Sequence, residues 1–240
     1  MDEIKKINRW FLIYLFSFVG CVIAFISIAV ISYLLIENED ITYLIWFVSM
    51  ALLLIVSGMF RNKMGEITNY SYILKIRENA SEPIKLNPNS YNLEKALRSA
   101  GYQKKINNKA YHLYYRVVKD NIKRIFKRYM LEVVVISRIG KFFIDEVNND
   151  IDALHAELHK QRKKTDKLFV TQIREVSELT DEVKEQIKEI AFVRSARGII
   201  SIINIGIHLP TKTAVMLYTD KYRPSLYYEY HVNQIKAILK

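Results

Sequence analysis

The sequence predicts an N-terminal two-helix transmembrane hairpin joined to a cytoplasmic α+β domain, in which a mixed sheet is flanked by helices. Three observations predict this fold class. Two long uncharged runs lie near the amino terminus, a short acidic segment separates them, and the remaining residues show helix and strand patterns in mixed order. We therefore divide the chain into a hairpin at 1–60, a juxtamembrane helix and linker at 61–90, and a domain at 91–240.

The two uncharged runs cover residues 10–36 and 41–60, and each qualifies as a membrane span. At a rise of ~1.5 Å per residue they form helices of about 40 Å and about 30 Å. A bilayer core is ~30 Å thick, so both helices reach across it. The segment between them, residues 37–40, is too short for a folded loop. The two spans are therefore expected to be antiparallel neighbours.

The distribution of positive charge predicts the orientation of the hairpin. Basic residues at positions 5–9 precede the first span, and Arg61 and Lys63 follow the second. The segment at 37–40 contains acidic side chains but no Lys or Arg. Basic flanks of membrane spans stay in the cytoplasm. We therefore expect a multi-pass protein of the cell membrane whose amino terminus and C-terminal domain are both cytoplasmic.

Two alternative interpretations of the first run involve processing. A cleaved signal peptide has an apolar core of roughly 7–15 residues, and this run is much longer. The segment SFVGC at 17–21 is similar to a lipoprotein processing box, but a further apolar stretch follows Cys21, where mature lipoproteins become polar. We favour an unprocessed span with a buried, inert Cys21. Because Cys21 is the only cysteine, it also excludes an intrachain disulfide.

The part of the chain after the hairpin is strongly basic. Residues 61–240 hold 33 of the 36 Lys and Arg residues and 20 of the 25 Asp and Glu residues, a net charge of 33 − 20 = +13. Much of the positive charge lies in two clusters, at 119–128 and 159–167. The candidate residues for an anionic partner are Lys119, Lys123, Arg124, Lys127 and Arg128 in the first cluster and Lys160, Arg162, Lys163 and Lys164, followed by Lys167, in the second.

The sequence is compatible with two interpretations of these clusters. They are solvated surface charge, or they bind an anionic partner. For a membrane-tethered domain the nearest such partner is the anionic headgroups of the lipid bilayer, and nucleic acid or an acidic protein comes next. The segment YHLYYR at 111–116 interleaves aromatic and basic residues in a way that could stack bases. A half-buried strand explains this alternation better.

Small residues share one face of the first span. Ser17, Gly20, Ala24 and Ser27 are spaced three, four and three apart, which is helical spacing. Small residues at such spacing let helices approach closely in lipid. We expect this face to pack against the second span, which also contains small residues. The alternative is that it forms a homo-oligomer interface.

The segment DALHAELH at 152–159 contains the best candidate for a metal site. Asp152, His155 and His159 fall at i, i+3 and i+7 and share a helical face, and two imidazoles one turn apart can bind zinc. A half-exposed polar edge beside an apolar stripe explains the same residues, and we favour that interpretation. The sequence contains no phosphate-loop or dinucleotide-binding motif, and no cofactor is expected.

The domain is predicted to contain helices and strands in the order helix, two strands, helix, strand, helix, two strands, helix. A continuing helix at 61–79 and a Pro-containing linker at 78–90 precede it. The predicted helices are 91–102, 142–164, one capped by Thr180 and one opened by Pro224, and the predicted strands are 109–118, 129–138, 167–176, 198–209 and 213–220.

These features predict a non-catalytic binding or sensor module that couples binding of a ligand, nucleic acid or partner protein to assembly of its transmembrane helices. The layout is similar to that of bacterial membrane-tethered sensors and effectors. One alternative is a membrane-attached, nuclease-like enzyme that acts on a phosphate-bearing substrate. It requires carboxylates such as Glu132, Asp145 and Asp220 to converge beside a basic cleft. Another alternative is an accessory subunit of a larger membrane complex.

Overall fold

The structure, a computed structural model, describes residues 2–87, 92–122, 128–142, 145–194 and 198–240. The chain forms two compact units, Met1–Leu74 and Lys75–Lys240. The helices in the described ranges are α1 (Asp2–Leu35), α2 (Glu39–Glu78), α3 (Leu93–Ser99), α4 (Asp145–Lys160), α5 (Asp181–Lys188) and α6 (Leu226–Leu239). The strands in these ranges are β1 (Ile84–Lys85), β2 (Gln103–Asn107), β3 (Tyr111–Lys119), β4 (Tyr129–Ser137), β5 (Thr165–Val176), β6 (Ala191–Arg194), β7 (Ile199–His208) and β8 (Thr213–Met216).

The first unit contains two long apolar helices, as the sequence predicts. α1 and α2 are both long and apolar enough to cross a membrane, judged by length and composition. Asn38 is the N-cap of α2, because its side-chain oxygen accepts hydrogen bonds from the N–H groups of Asp40 (3.0 Å) and Ile41 (3.3 Å). The indole N–H of Trp46 in α2 donates to the carbonyl of Ala29 in α1 (3.0 Å). The two helices therefore lie side by side.

The small-residue face of α1 is exposed rather than packed against α2. The exposed small residues are Ser17, Gly20, Ala24 and Ser27 in α1 and Ala51 and Gly58 in α2. The two helices meet through another face, on which the rings of Tyr14 and Phe18 pack against Phe60. The expectation that the small residues pack against the second span is therefore wrong, since large aromatic rings fill that contact. A homo-oligomer interface on this face stays a prediction.

The second unit is built on one mixed sheet, as predicted. Its strands lie in the order β1-β8-β7-β5-β4-β3-β2, and β6 pairs with the first half of β7. β4, β5 and β7 are parallel to one another, and the other pairs are antiparallel. The amino ends of these three strands therefore lie at one end of the sheet, and their carboxyl ends lie at the other.

Helices cover both faces of this sheet. α4 buries an apolar stripe against alternate residues of β3, β4 and β5. The buried residues of α4 are Val147, Ile151, Leu154 and Leu158. They match the predicted stripe, of which Phe143 lies outside the described residues. The strand residues that alternate with this core, among them His112 and Glu132, instead contact α3 and α6 on the opposite face.

Part of the predicted linker belongs to the sheet. α2 extends to Glu78, and β1 then pairs with β8, with Ile84 opposite Ala214. Two further strands, β2 and β6, are not predicted by the sequence analysis. The predicted cap of α5 is confirmed, because the Thr180 hydroxyl accepts a hydrogen bond from the N–H of Val183 (3.3 Å).

Candidate anion-binding surface

The pairing of β4 with β5 brings the two basic clusters together. β3 ends at Lys119, opposite Tyr129 at the start of β4, and Tyr129 lies opposite Thr165 at the start of β5. The N–H of Tyr129 also donates to the carbonyl of Lys164 (3.3 Å). The tip between β3 and β4 and the segment after α4 therefore meet at the end of the sheet where the parallel strands begin.

A left-handed turn at the end of α4 returns the second cluster to the sheet. Arg162 has a positive φ of 60°, a conformation that usually favours glycine after a helix. Its N–H donates to the carbonyl of His159 (2.9 Å), and the N–H of Lys163 donates to the carbonyl of Leu158 (2.9 Å). These bonds satisfy the last carbonyls of the helix. The chain reverses here, so the basic segment runs directly into β5.

The basic side chains at this end are mostly open to solvent. Lys119, Arg128, Lys160, Arg162 and Lys164 are exposed, and Lys163 is half-buried. We call these six residues the basic surface. Arg128 is partly compensated, because its guanidinium lies 3.3 Å from the carboxylate of Asp166. The other predicted members of the first cluster, Lys123, Arg124 and Lys127, lie outside the described residues.

Lys167 does not belong to this surface, although it lies in the second cluster of the sequence. Its side chain is 3% exposed, and its ammonium lies 2.8 Å from Asp120 and 2.6 Å from Asp166. Asp120 is fully buried and also accepts a hydrogen bond from the hydroxyl of Tyr227 (2.8 Å). The N–H of Asp120 donates to the carbonyl of Arg128 (2.7 Å), which closes the tip. The buried ion pair between Lys167 and Asp120 thus lies beneath the basic surface and stabilises it.

The aromatic residues of YHLYYR are not available to stack on nucleic-acid bases. Tyr111 is 2% exposed and Tyr114 is fully buried, and only Tyr115 is partly exposed. Base stacking requires an open ring face. The favoured interpretation, alternation in a half-buried strand, therefore accounts for this segment.

Among the described residues, the predicted metal site gains no additional ligands. Asp152 and His159 are exposed on α4, and His155 lies between them with its Nδ1 2.9 Å from the hydroxyl of Thr165. Burial lowers the pKa of His155, and Asp152 offsets part of that effect. Within the described ranges, no group of three or more His, Cys, Asp and Glu side chains could hold a metal ion.

Glu132 lies at the centre of a buried hydrogen-bond network on the α6 side of the sheet. Its carboxylate accepts from the hydroxyls of Tyr102 and Tyr230, both at 2.6 Å, and from Arg116, whose nearest nitrogen is 2.7 Å away. Arg116 also donates to the side-chain oxygen of Gln234 (2.8 Å). Burial, followed by the negative charge of Glu132, raises the pKa of Tyr102. The network ties β2, β3, β4 and α6 together.

The three carboxylates that nuclease chemistry would require are placed apart. Glu132 is enclosed by the network, whereas Asp145 is exposed at the start of α4 on the other face. Asp220 follows β8 and forms an ion pair with Lys236 (2.7 Å). Metal-dependent cleavage of a phosphate ester needs at least two acidic ligands together. The structure therefore does not bring together the three carboxylates that this alternative names.

His231 in α6 is a buried polar residue that contacts β5 and β7. The sequence did not identify it as a candidate. Its two ring nitrogens lie 3.0 Å from the hydroxyl of Thr171 and 2.9 Å from that of Ser201. Burial lowers the pKa of His231 to about 3, so the ring is neutral and offers one donor and one acceptor. A neighbouring cavity of about 10 Å³ has room for about one water. The available signal was the presence of polar residues inside otherwise apolar strands, such as Glu132 in YMLEVVVIS and Ser201 in IISIINIGIH.

We compared the whole chain with known proteins in three ways. No protein-family model, no curated protein and no solved structure matches it. The functional proposal therefore rests on the residues and contacts described above.

Proposed function

We propose that this chain is a membrane-anchored, non-catalytic binding module whose basic surface binds anionic lipid headgroups. In this proposal the hairpin crosses the membrane twice, and the amino terminus and the second unit lie on the cytoplasmic side. Binding at the surface is coupled to assembly of the transmembrane helices. The observation that carries the proposal is the meeting of two sequence-distant basic clusters at one end of the sheet.

Three features support lipid over nucleic acid as the partner. Two helices have the length and composition of membrane spans, so a tethered domain meets headgroups at high local concentration. The basic side chains at the strand ends are exposed, and each Lys or Arg near an anionic membrane adds ~1 kcal/mol of attraction. The tyrosines that could stack bases, Tyr111 and Tyr114, are buried.

Removing three exposed lysines from the basic surface should greatly weaken lipid binding. The Lys119→Ala, Lys160→Ala and Lys164→Ala triple variant loses about 3 kcal/mol of attraction, roughly a 100-fold loss in affinity. The measurement is flotation of the full chain, held in neutral-lipid nanodiscs, with separate vesicles that contain phosphatidylglycerol. Binding of the unchanged chain should also fall as salt is added, because salt screens exposed charges.

The matched control removes three exposed lysines elsewhere. Lys109, Lys184 and Lys221 are exposed and lie outside the basic surface, so their alanine variant should keep nearly all the binding. Equal losses in the two triple variants would refute a specific surface. Tighter, salt-sensitive binding to duplex DNA than to the vesicles would identify nucleic acid as the partner and overturn the lipid assignment.

Cysteine labelling tests the proposed orientation. Glu37 is exposed in the turn and, unlike Asn38, does not cap α2, so Glu37→Cys leaves the helix start intact. In a Cys21→Ser background, a maleimide that does not cross membranes should label this cysteine in intact cells. A Lys184→Cys variant should be labelled only after the cells are permeabilised. The reverse pattern would contradict a cytoplasmic domain.

A further inference from the structure

A second candidate site lies at the opposite end of the sheet from the basic surface. A crevice of about 700 Å³ opens beside the carboxyl ends of β4 and β5, with the start of α3 as one wall. Small-molecule sites commonly have volumes of about 300–1,000 Å³, and in sheets with parallel strands they lie outside the carboxyl ends of those strands. The side chains that carry the argument are Leu93, Glu94, His112, Ile136, Arg138 and Glu175.

His112 has an unsatisfied ring nitrogen at this crevice. Its side chain is 8% exposed, and its Nδ1 lies 2.8 Å from Oε1 of Glu94. Its Nε2 is buried and has no hydrogen-bond partner among the described residues. Leaving a buried polar atom unpaired costs about 1–3 kcal/mol. A ligand that supplies a donor to Nε2 would recover this cost.

Glu94 fixes which nitrogen of His112 carries the proton. Burial raises the pKa of Glu94, but the hydrogen bond and positive charge of Lys104 and the hydrogen bond with His112 lower it, and the net pKa is lowered. The carboxylate is therefore ionised at neutral pH and accepts the Nδ1 proton. In the neutral imidazole, Nε2 is then a lone-pair acceptor. His112 thus adds a buried, unpaired acceptor to the wall of the crevice, which a ligand N–H or O–H group could satisfy.

Two exposed charges of opposite sign line the same crevice. Arg138 follows the end of β4, and Glu175 lies near the end of β5. Neither side chain forms an ion pair with any other described residue. The adjoining wall includes the apolar side chains of Leu93 and Ile136. The lining therefore combines one cationic group, the two carboxylates of Glu94 and Glu175, one imidazole acceptor and an apolar wall.

We propose that this crevice binds a free amino acid with an apolar side chain. Arg138 holds the carboxylate, Glu175 and His112 Nε2 receive the ammonium group, and the side chain packs on Leu93 and Ile136. This site lies at the other end of the sheet from the basic surface, and it does not depend on lipid binding.

The test is isothermal titration of the full chain, in nonionic detergent micelles, with L-leucine. Saturable binding is expected, and Arg138→Gln and Glu175→Gln should each weaken it about tenfold or more, because each removes a charge-assisted contact. The matched controls are Lys141→Gln and Glu178→Gln, exposed residues near the same strand ends that do not line the crevice. They should bind L-leucine as the unchanged chain does.

Two ligand analogues separate the roles of the two charges. Leucine amide lacks the carboxylate and should be insensitive to Arg138→Gln, whereas 4-methylpentanoate lacks the ammonium group and should be insensitive to Glu175→Gln. The triple alanine variant of the basic surface should bind L-leucine normally, so failure of the lipid proposal would leave this result intact. Absence of saturable binding at millimolar L-leucine, or no effect of either charge variant, would overturn the assignment.

A spectroscopic readout follows ligand binding in the unchanged chain, without the charge variants. In full chain labelled with ¹⁵N-histidine, the Nε2 resonance of His112 should shift on addition of L-leucine, while that of His231, buried elsewhere in the unit, should not. A His112→Gln variant assigns the signal. An unchanged His112 resonance at saturating ligand would contradict donation to Nε2.

Discussion

Replacing Glu132 by Gln is expected to reduce the free energy of unfolding of the second unit by about 3 kcal/mol. Gln keeps the shape of the side chain but removes the negative charge that faces Arg116 at 2.7 Å. The hydroxyls of Tyr102 and Tyr230 both donate to the Glu132 carboxylate. In the Gln variant one of these hydroxyls would face an amide N–H₂ group, which is itself a donor. The variant therefore leaves a cation without its partner and at least one donor unsatisfied.

Urea unfolding of the full chain in nonionic micelles, followed by near-UV circular dichroism of the tyrosines, measures this loss. The matched control is Glu157→Gln, since Glu157 pairs with Lys105 on the exposed surface. Exposed pairs contribute ~1 kcal/mol or less, so the control should change little. Similar losses in the two variants would show that the Glu132 network adds no more than a surface pair.

Replacing Lys167 by Met is expected to lower the free energy of unfolding by about 3–5 kcal/mol, because it removes one partner of the buried ion pair with Asp120. Asp120 is fully buried and would keep the hydroxyl of Tyr227 and the N–H of Ile122 as donors. Asp120 also closes the tip between β3 and β4 through Arg128. The variant should therefore weaken vesicle binding as well as stability, although Lys167 itself is buried.

The same urea titration measures the effect of Lys167→Met, with Lys184→Met as the control. Lys184 pairs with the fully exposed Asp181, so Lys184→Met should change the free energy of unfolding very little. Adding Asp120→Asn to Lys167→Met should restore part of the stability, because the uncompensated charge is then removed. If the double variant is less stable than the single one, the cost does not arise from the buried charge.

The sequence predicted those parts of the fold that depend on local patterns. Two uncharged runs are sufficient to predict two long apolar helices, because length and composition decide that outcome within each segment. The stripe of α4 was predicted for the same reason, since Ile151, Leu154 and Leu158 repeat at helical spacing and meet the core. Thr180 was predicted as a cap because its side chain bonds to a group only three residues away.

Very short strands, which only their pairing partners define, were not predicted. β1 contains two residues, and Ile84 is a strand residue only because β8 lies beside it. β6 contains four residues, too few for a clear alternation, and only its pairing with β7 defines it. The linker prediction for this region followed the prolines and polar residues, which carry no information about a partner strand.

The candidate site was predictable as a set of residues but not as a geometry. Charge alone identifies Lys119 and Lys160, whereas their meeting depends on the parallel register of β4 and β5. Charge also placed Lys167 with the solvent-facing lysines, and its burial beside Asp120 has no local signal. The same limit applies to Glu94 and His112, which are separated in sequence and meet only through the packing of α3.

The pairing of β1 with β8 sets the order of events as the protein is made. Ile84 can pair with Ala214 only after the ribosome has added a further 214 − 84 = 130 residues. At ~5–20 residues per second this delay lasts roughly 10 s. The two apolar helices, α1 and α2, will have left the ribosome long before the sheet can be completed. A truncation before β8 would therefore leave two complete apolar helices and a sheet whose β7 edge is open.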